Sequence, residues 1–154
     1  MNAYQIRPAT LEDLAVILHH RRRMFEDMGL TDQQGLDAMQ ASSTPLLRRG
    51  LRDGTYRGWL VEAPGGGIVA GGGLIILEFH SHPRDPRPQR AWVVNMFTEV
   101  EHRRRGLARR LLETVLEWCR AEGMRFVYLH ASDDGRPLYE GLGFTATNEM
   151  RLAL

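Results

Sequence analysis

The clearest structural signal in the sequence is Asn95-Met-Phe-Thr-Glu-Val-Glu-His-Arg-Arg-Arg-Gly-Leu-Ala-Arg-Arg-Leu-Leu112. The residues that lead into it, Arg90 to Phe97, are mostly apolar and β-prone, which predicts a buried strand. Leu107 to Cys119 carries apolar residues at helical spacing, which predicts an amphipathic helix. The segment between them is rich in arginine, so a strand is predicted to pass into a helix through a basic turn.

This turn has the features of an anion site. The first N–H groups of a helix have no partner inside the helix, and they carry the positive end of its dipole. Gly106 lets the backbone approach a bulky ligand closely, and the small side chain of Ala108 allows a similarly close approach two residues further on. Three arginines, Arg103 to Arg105, can add charged hydrogen bonds. A solvated basic turn is the alternative interpretation, because a short glycine motif alone is a weak signal.

Two motifs and the start of the chain carry a family resemblance. Arg103-x-x-Gly106-x-Ala108 resembles the pyrophosphate-binding motif of the GNAT superfamily of acyl-CoA-dependent N-acyltransferases. Downstream, Pro137-Leu-Tyr-Glu-Gly-Leu-Gly-Phe144 is similar to that family's closing signature. With the N-terminal Ile6-Arg-Pro-Ala-Thr-x-x-Asp13, the resemblance covers essentially the whole chain.

The resemblance implies an α/β fold in a single domain, residues 1–154. In this fold a mixed, mostly antiparallel sheet of six or seven strands is flanked by about four helices. The central strand splays from its neighbour and opens a V-shaped cofactor cleft. Asn95 is polar where a buried strand needs an apolar residue, so it either faces the ligand or marks this break.

By the same resemblance, the protein is expected to be an N-acetyltransferase that moves an acetyl group from acetyl-CoA to a primary amine of a small molecule or peptide. The transfer would occur directly, in a ternary complex. A cofactor-binding sensor or regulatory module that has lost turnover is the alternative. The expected cofactor contacts come from two segments: Met96, Phe97 and Thr98 for the acyl and pantetheine groups, and Arg103, Arg104, Arg105, Gly106, Leu107, Ala108 and Arg109 for the pyrophosphate.

Tyr139 matches the tyrosine that the family places near the cofactor sulfur as a general acid. A hydroxyl that only caps a neighbouring segment is the structural alternative. The base that accepts the amine proton is left open among five residues near predicted strand ends or the acceptor side: Glu26, Glu78, His80, Glu99 and His130. Ser132 stands where some relatives carry an asparagine that contacts pantetheine, which puts that contact in doubt.

Composition excludes several other classes of function. The net charge of +1 argues against a nucleic-acid binder. Every basic residue except histidine is arginine, so neither a Schiff-base lysine nor a P-loop is possible. The lone Cys119 falls on the apolar stripe of its helix, and together with the absence of a leader or an apolar span it predicts a cytoplasmic protein. His80-x-His82 lacks further ligands at suitable spacing, so no metal is expected. A homodimer is compatible with the resemblance.

The remaining segments predict the other elements. A capping box at Thr10 and Asp13 begins a first helix, whose end at residues 21–23 is expected to be solvated. Thr31 is expected to cap a second helix, which Pro45 and the residues before it break or kink. The glycines 71–73 lie inside a strand and predict a bulge or a close backbone approach. Residues from Phe144 to Leu152 are expected to form one or two final strands.

Overall fold

The polypeptide folds into one sheet with helices on both faces, and the structure, a computed structural model, describes residues 3–154. The elements in chain order are β1 (Gln5–Pro8), α1 (Leu14–Asp27), α2 (Gln33–Asp53), β2 (Tyr56–Glu62), β3 (Ile68–Glu78), β4 (Gln89–Thr98), α3 (Leu107–Ala121), β5 (Val127–Tyr128) and α4 (Arg136–Gly141). Within the described residues the sheet order is β1-β2-β3-β4-β5. The first four strands are antiparallel and β5 is parallel to β4, which confirms the mixed, mostly antiparallel sheet.

The sheet has a separate core on each face. On one face α3 packs its apolar stripe onto the sheet, and Leu111, Leu112 and Val115 are fully buried. On the other face α1 covers β4 and β3 and α2 covers β2, with Ile17 and Leu47 buried at these contacts. The helix α3 is also the crossover that parallel strands require, since it joins β4 to β5.

The start of α1 is held by an arginine–carboxylate pair. Arg7 on β1 donates two hydrogen bonds of 2.8 Å to the carboxylate of Asp13, which also accepts one of 2.7 Å from the Thr10 N–H. Part of the predicted capping arrangement is therefore present. The Arg7 guanidinium is the main reason that the pKa of Asp13 falls to about 2.

The second helix differs from its sequence prediction in two ways. Asp32, not Thr31, caps α2, and its carboxylate accepts from two N–H groups of the first turn. The predicted break at Pro45 is wrong, because α2 runs through it as one helix. Leu36 before Pro45 and Leu47 after it are both buried, so tertiary packing outweighs the hydrogen bond that proline removes.

The three glycines of β3 make room for side chains from other elements. The register of β3 against β4 shifts between Gly71 and Gly73, which confirms the predicted bulge. A Cβ on any of the three would collide with a different neighbour: His20 at Gly71, Met96 at Gly72 and Tyr56 at Gly73. Close approach and bulge therefore occur together at this point of the sheet.

The predicted strands after Phe144 are wrong. Residues 144–154 contain neither strand nor helix, so the described chain has five strands instead of six or seven. A strand needs a hydrogen-bonding partner of some length, and β5 offers only two residues. Met150 and Leu152 of this segment are 94% and 81% exposed.

Candidate active site

A break in β4 lies at the centre of the sheet. Gly73 pairs with Val94 and Gly71 pairs with Phe97, so two residues of β4 oppose one of β3. One of the two is Asn95, whose φ of 59° is in the left-handed region that few side chains adopt. Of the two expectations for Asn95, a residue that faces the ligand or a local break, the structure confirms the break.

Beyond this point β4 has an open edge. The parallel pairing with β5 is limited to Ala91 with Val127 and Trp92 with Tyr128, whereas β4 continues to Thr98. Among residues 3–154 no strand pairs with the outer edge of β4 after Trp92. This is the splayed central strand that the resemblance implied, and Met96, Phe97 and Thr98 lie along the opening.

The arginine–glycine turn leads from the end of β4 into α3. Gly106 has a φ of 74°, a conformation that glycine adopts without strain, and α3 begins at the next residue. The first helical hydrogen bond runs from the Arg110 N–H to the Gly106 carbonyl, so the N–H groups of residues 106–109 precede it. Nothing lies within 4 Å of a Cβ built on Gly106, and the space beside the turn is open.

The three arginines of the turn have different surroundings. The Arg103 side chain donates to the Thr98 carbonyl at 2.9 Å and forms a close ion pair with Asp27, so it ties the turn to the end of α1. Arg105 has one long contact of 3.4 Å to a backbone carbonyl. Arg104 has a φ of 62° and, within the described chain, its side chain forms no ion pair or hydrogen bond. The two later arginines are therefore available to an anion, whereas Arg103 is already engaged.

Tyr139 lies in α4, close to the start of α3. A Cβ on Gly141 of α4 would be 3.2 Å from the Arg109 guanidinium in the first turn of α3. The Tyr139 ring packs edge-on against Phe144 at 5.9 Å, and burial raises the pKa of its hydroxyl. Over residues 3–154 that hydroxyl forms no hydrogen bond, so it does not cap a neighbouring segment. It is protonated at neutral pH and free to donate.

The five candidate bases are distributed over the molecule. Glu99 directly follows β4, at the open end of the cleft, and its carboxylate is 3.2 Å from His19 Nε2. Glu78 and His80 lie at the opposite end of β4, since Glu78 pairs with Gln89. The other two are in ion pairs: His130 with Glu149 at 3.0 Å, and Glu26 with Arg22 and Arg23. Only Glu99 adjoins the segment of residues 96–98.

A buried polar cluster at the bulge was not predicted from the sequence. Asn95 is 4% exposed; its carbonyl oxygen accepts from Arg21 at 2.8 Å, and its amide donates to the Tyr56 hydroxyl at 3.3 Å. The expectation that Arg21 belongs to a solvated helix end is wrong. Arg21 follows the buried Ile17 by four residues and therefore lies on the core side of α1. The four-residue spacing from Ile17 was therefore the sequence signal that could have predicted the position of Arg21.

The other reactive side chains are buried or bonded within their own segments. Cys119 lies on the buried face of α3, and burial raises the pKa of its thiol to about 11, so the thiol is protonated at neutral pH. His82 Nδ1 accepts from the Arg84 N–H inside its own loop. Across residues 3–154 there is no group of three or more potential metal-ligating side chains. In the same part of the chain no helix has the length and apolarity needed to cross a membrane.

The splayed strand and the glycine turn together are the arrangement that the resemblance to the GNAT fold implied. The chain belongs to this family, since the model of the "Acetyltransferase (GNAT) family" matches residues 15–144.

Individual relatives agree with this assignment. A GCN5-related N-acetyltransferase from Ralstonia eutropha JMP134 is 34% identical, with a TM-score of 0.92 over 99% of both chains. A predicted acetyltransferase from Clostridium acetobutylicum, crystallised with acetyl-CoA, shares the fold at 22% identity, with a TM-score of 0.87 over 98% of this chain and 96% of its own. Human N-acetyltransferase 8 is 33% identical over 66 residues, which are 41% of this chain and only 29% of the human protein.

Proposed function

We propose that the protein is an acetyl-CoA-dependent N-acetyltransferase whose acceptor is a primary amine of a small molecule or peptide. One observation carries the proposal: the unpaired edge of β4 leads, along the same strand, into the open glycine turn at the start of α3. A cofactor with an amide-bearing arm and a diphosphate needs these two features in that order.

The diphosphate would lie on the N–H groups between Arg104 and Arg109, at the positive end of the α3 dipole. Arg104 and Arg105 would add charge to this cradle. Arg103 would act differently, because its guanidinium holds the turn in place through Thr98 and Asp27. The pantetheine arm would run along the free edge of β4 at residues 96–98.

The chemical step would be a direct attack. The amine nitrogen forms a bond to the thioester carbonyl carbon while N–H groups near Met96 to Thr98 stabilise the charge that develops on oxygen. The C–S bond then breaks, and its electron pair leaves on sulfur. The Tyr139 hydroxyl would donate a proton to that thiolate, and the amine proton would pass to a base, for which Glu99 has the most suitable position.

Release of free CoA thiol tests the proposal. Purified protein is mixed with acetyl-CoA and a panel of primary amines, and the thiol is followed over time. We expect release that depends on at least one amine. Tight binding of acetyl-CoA without release on any amine would contradict the proposed activity and favour the sensor.

A further inference from the structure

The side chain of Arg21 has an unusual position for a cation. It extends from α1 to the bulge of β4, where its Nη1 donates to Asn95 Oδ1 at 2.8 Å. Its guanidinium carbon lies 5.2 Å from the centre of the Phe25 ring. The Nε atom is buried and, in the described part of the chain, has no hydrogen-bond partner.

Arg21 differs from its neighbours in α1 in lacking a carboxylate partner among residues 3–154. Within residues 3–154 no carboxylate lies within ion-pair distance of it, whereas the next two residues of α1, Arg22 and Arg23, both pair with Glu26. The Tyr56 hydroxyl, which completes the cluster, is uncharged at neutral pH, because burial raises its pKa to about 12. Asn95 contributes only a dipole.

A partly desolvated guanidinium without an anionic partner is stabilised when a ligand supplies that partner. Arginine presents a planar fork of donors that matches a carboxylate. Arg21 is half-buried, so its guanidinium is not sealed in the core as the Tyr56 hydroxyl is. Its contact Asn95 directly precedes Met96, where the proposed acyl site begins.

We propose that Arg21 binds a carboxylate of the acceptor, and that the acceptor is therefore an amino acid or a similar amine bearing a carboxylate. This inference rests on the proposed acetyltransferase activity. A single uncompensated positive charge matches one carboxylate better than a doubly charged phosphate. The bound carboxylate would hold the acceptor amine beside the bulge, on the face of the sheet that α1 covers.

Matched pairs of acceptors provide the test. Each of the standard L-amino acids, and β-alanine, is compared with its own carboxamide for acetyl-CoA-dependent thiol release. The two members of a pair differ only in the charged group. The amino group of the carboxamide is less basic than that of the free acid, so a larger fraction of it is neutral and able to attack at a given pH. A comparison at one pH is therefore biased against the expected preference for the acid. We expect at least one acid to exceed its amide tenfold or more in kcat/KM.

Two variants assign the preference to Arg21. Arg21→Gln should bring the acid-to-amide ratio in kcat/KM to about one, because it removes the charge that distinguishes the acid from its amide. Arg22→Gln removes a neighbouring arginine that already has acidic partners, and it should leave the ratio unchanged. If Arg21→Gln does not fold, judged by circular dichroism, Arg21→Lys replaces it and should reduce the ratio severalfold.

Failure of this inference can be separated from failure of the proposed activity. The same pairs are titrated calorimetrically against protein saturated with CoA, which reports acceptor binding without turnover. If no acid exceeds its amide in either turnover or binding, the carboxylate assignment is overturned, even if amines are acetylated. A preference that persists in Arg21→Gln would overturn the role of Arg21. Tighter binding of an acid in the wild type that is lost in the variant supports the inference even if no amine is turned over.

Discussion

Replacement of Gly106 separates the effects of backbone strain, size and charge on cofactor binding. A Cβ at this position meets nothing within 4 Å, so a small side chain causes no clash in the free protein. The φ of 74° does penalise every residue with a Cβ, by about 1–2 kcal/mol. Gly106→Ala, Gly106→Gln and Gly106→Glu should therefore lose similar stability.

Their affinities for acetyl-CoA should differ widely. A glutamate carboxylate roughly 5 Å from one diphosphate charge, at an effective dielectric constant of about 20, repels it by roughly 3 kcal/mol. That energy corresponds to about a 100-fold loss of affinity beyond the loss in Gly106→Gln, which has the same size and no charge. Gly106→Ala should remain within about tenfold of the wild type.

Isothermal titration calorimetry with acetyl-CoA measures the four affinities, and urea denaturation measures the four stabilities. Equal affinity of the glutamate and glutamine variants would show that no phosphate lies beside Gly106. The proposed cofactor site would then be wrong, whatever the stabilities.

Three further outcomes are expected. Tyr139→Phe should lower turnover only about tenfold, because a thiolate is a fair leaving group even without a proton donor. Acetyl-CoA affinity and melting temperature should stay unchanged, because the hydroxyl has no hydrogen-bond partner to lose among residues 3–154. Unaltered turnover would mean that Tyr139 has only a structural role. Gly73→Ala should destabilise the fold by about 2–3 kcal/mol in urea denaturation, because its Cβ would be 2.5 Å from the Tyr56 hydroxyl, whereas Gly65→Ala, with nothing within 4 Å, should have little effect. In the folded protein the pKa of Asp13 is lowered from 3.8 to about 2. Its contribution to the free energy of unfolding, up to about 2 kcal/mol, is therefore complete above pH 3.8 and is lost as the pH falls towards 2. In an acid titration of stability, the free energy of unfolding of Asp13→Asn should depend less steeply on pH over this range.

The sequence was most informative where the backbone itself carries the structure. The apolar residues at helical spacing after Gly106 predicted the helix that begins at Leu107, and the φ of 74° at Gly106 shows why a glycine stands at that junction. Asn95 predicted the break in β4, since a polar residue within an apolar strand needs a special reason to be there. Both signals are local, so they can be interpreted from the sequence without knowledge of how distant segments pack.

Long-range pairing was less accessible from the sequence. Arg21 was expected to be solvated because three adjacent arginines indicate a solvated helix end, and the asparagine at the bulge that accepts its hydrogen bond lies 74 residues away. The same limit applies after Phe144, where the pattern suits a strand but residues 3–154 provide no partner strand for it. The engagement of Arg103 with Asp27 likewise depends on how α1 packs, which no motif encodes.

The glycine triplet of β3 has a consequence for how this sequence can vary. At each of these three positions, the volume that a strand residue would normally fill is occupied by a side chain from α1, β2 or β4. Variation at Gly73 is therefore tied to variation at Tyr56, since the ring and hydroxyl of Tyr56 fill the space that a methyl group at residue 73 would need. Covariation among homologues should accordingly link residue 73 to residue 56, and residue 71 to residue 20, more strongly than either glycine to its neighbours in sequence.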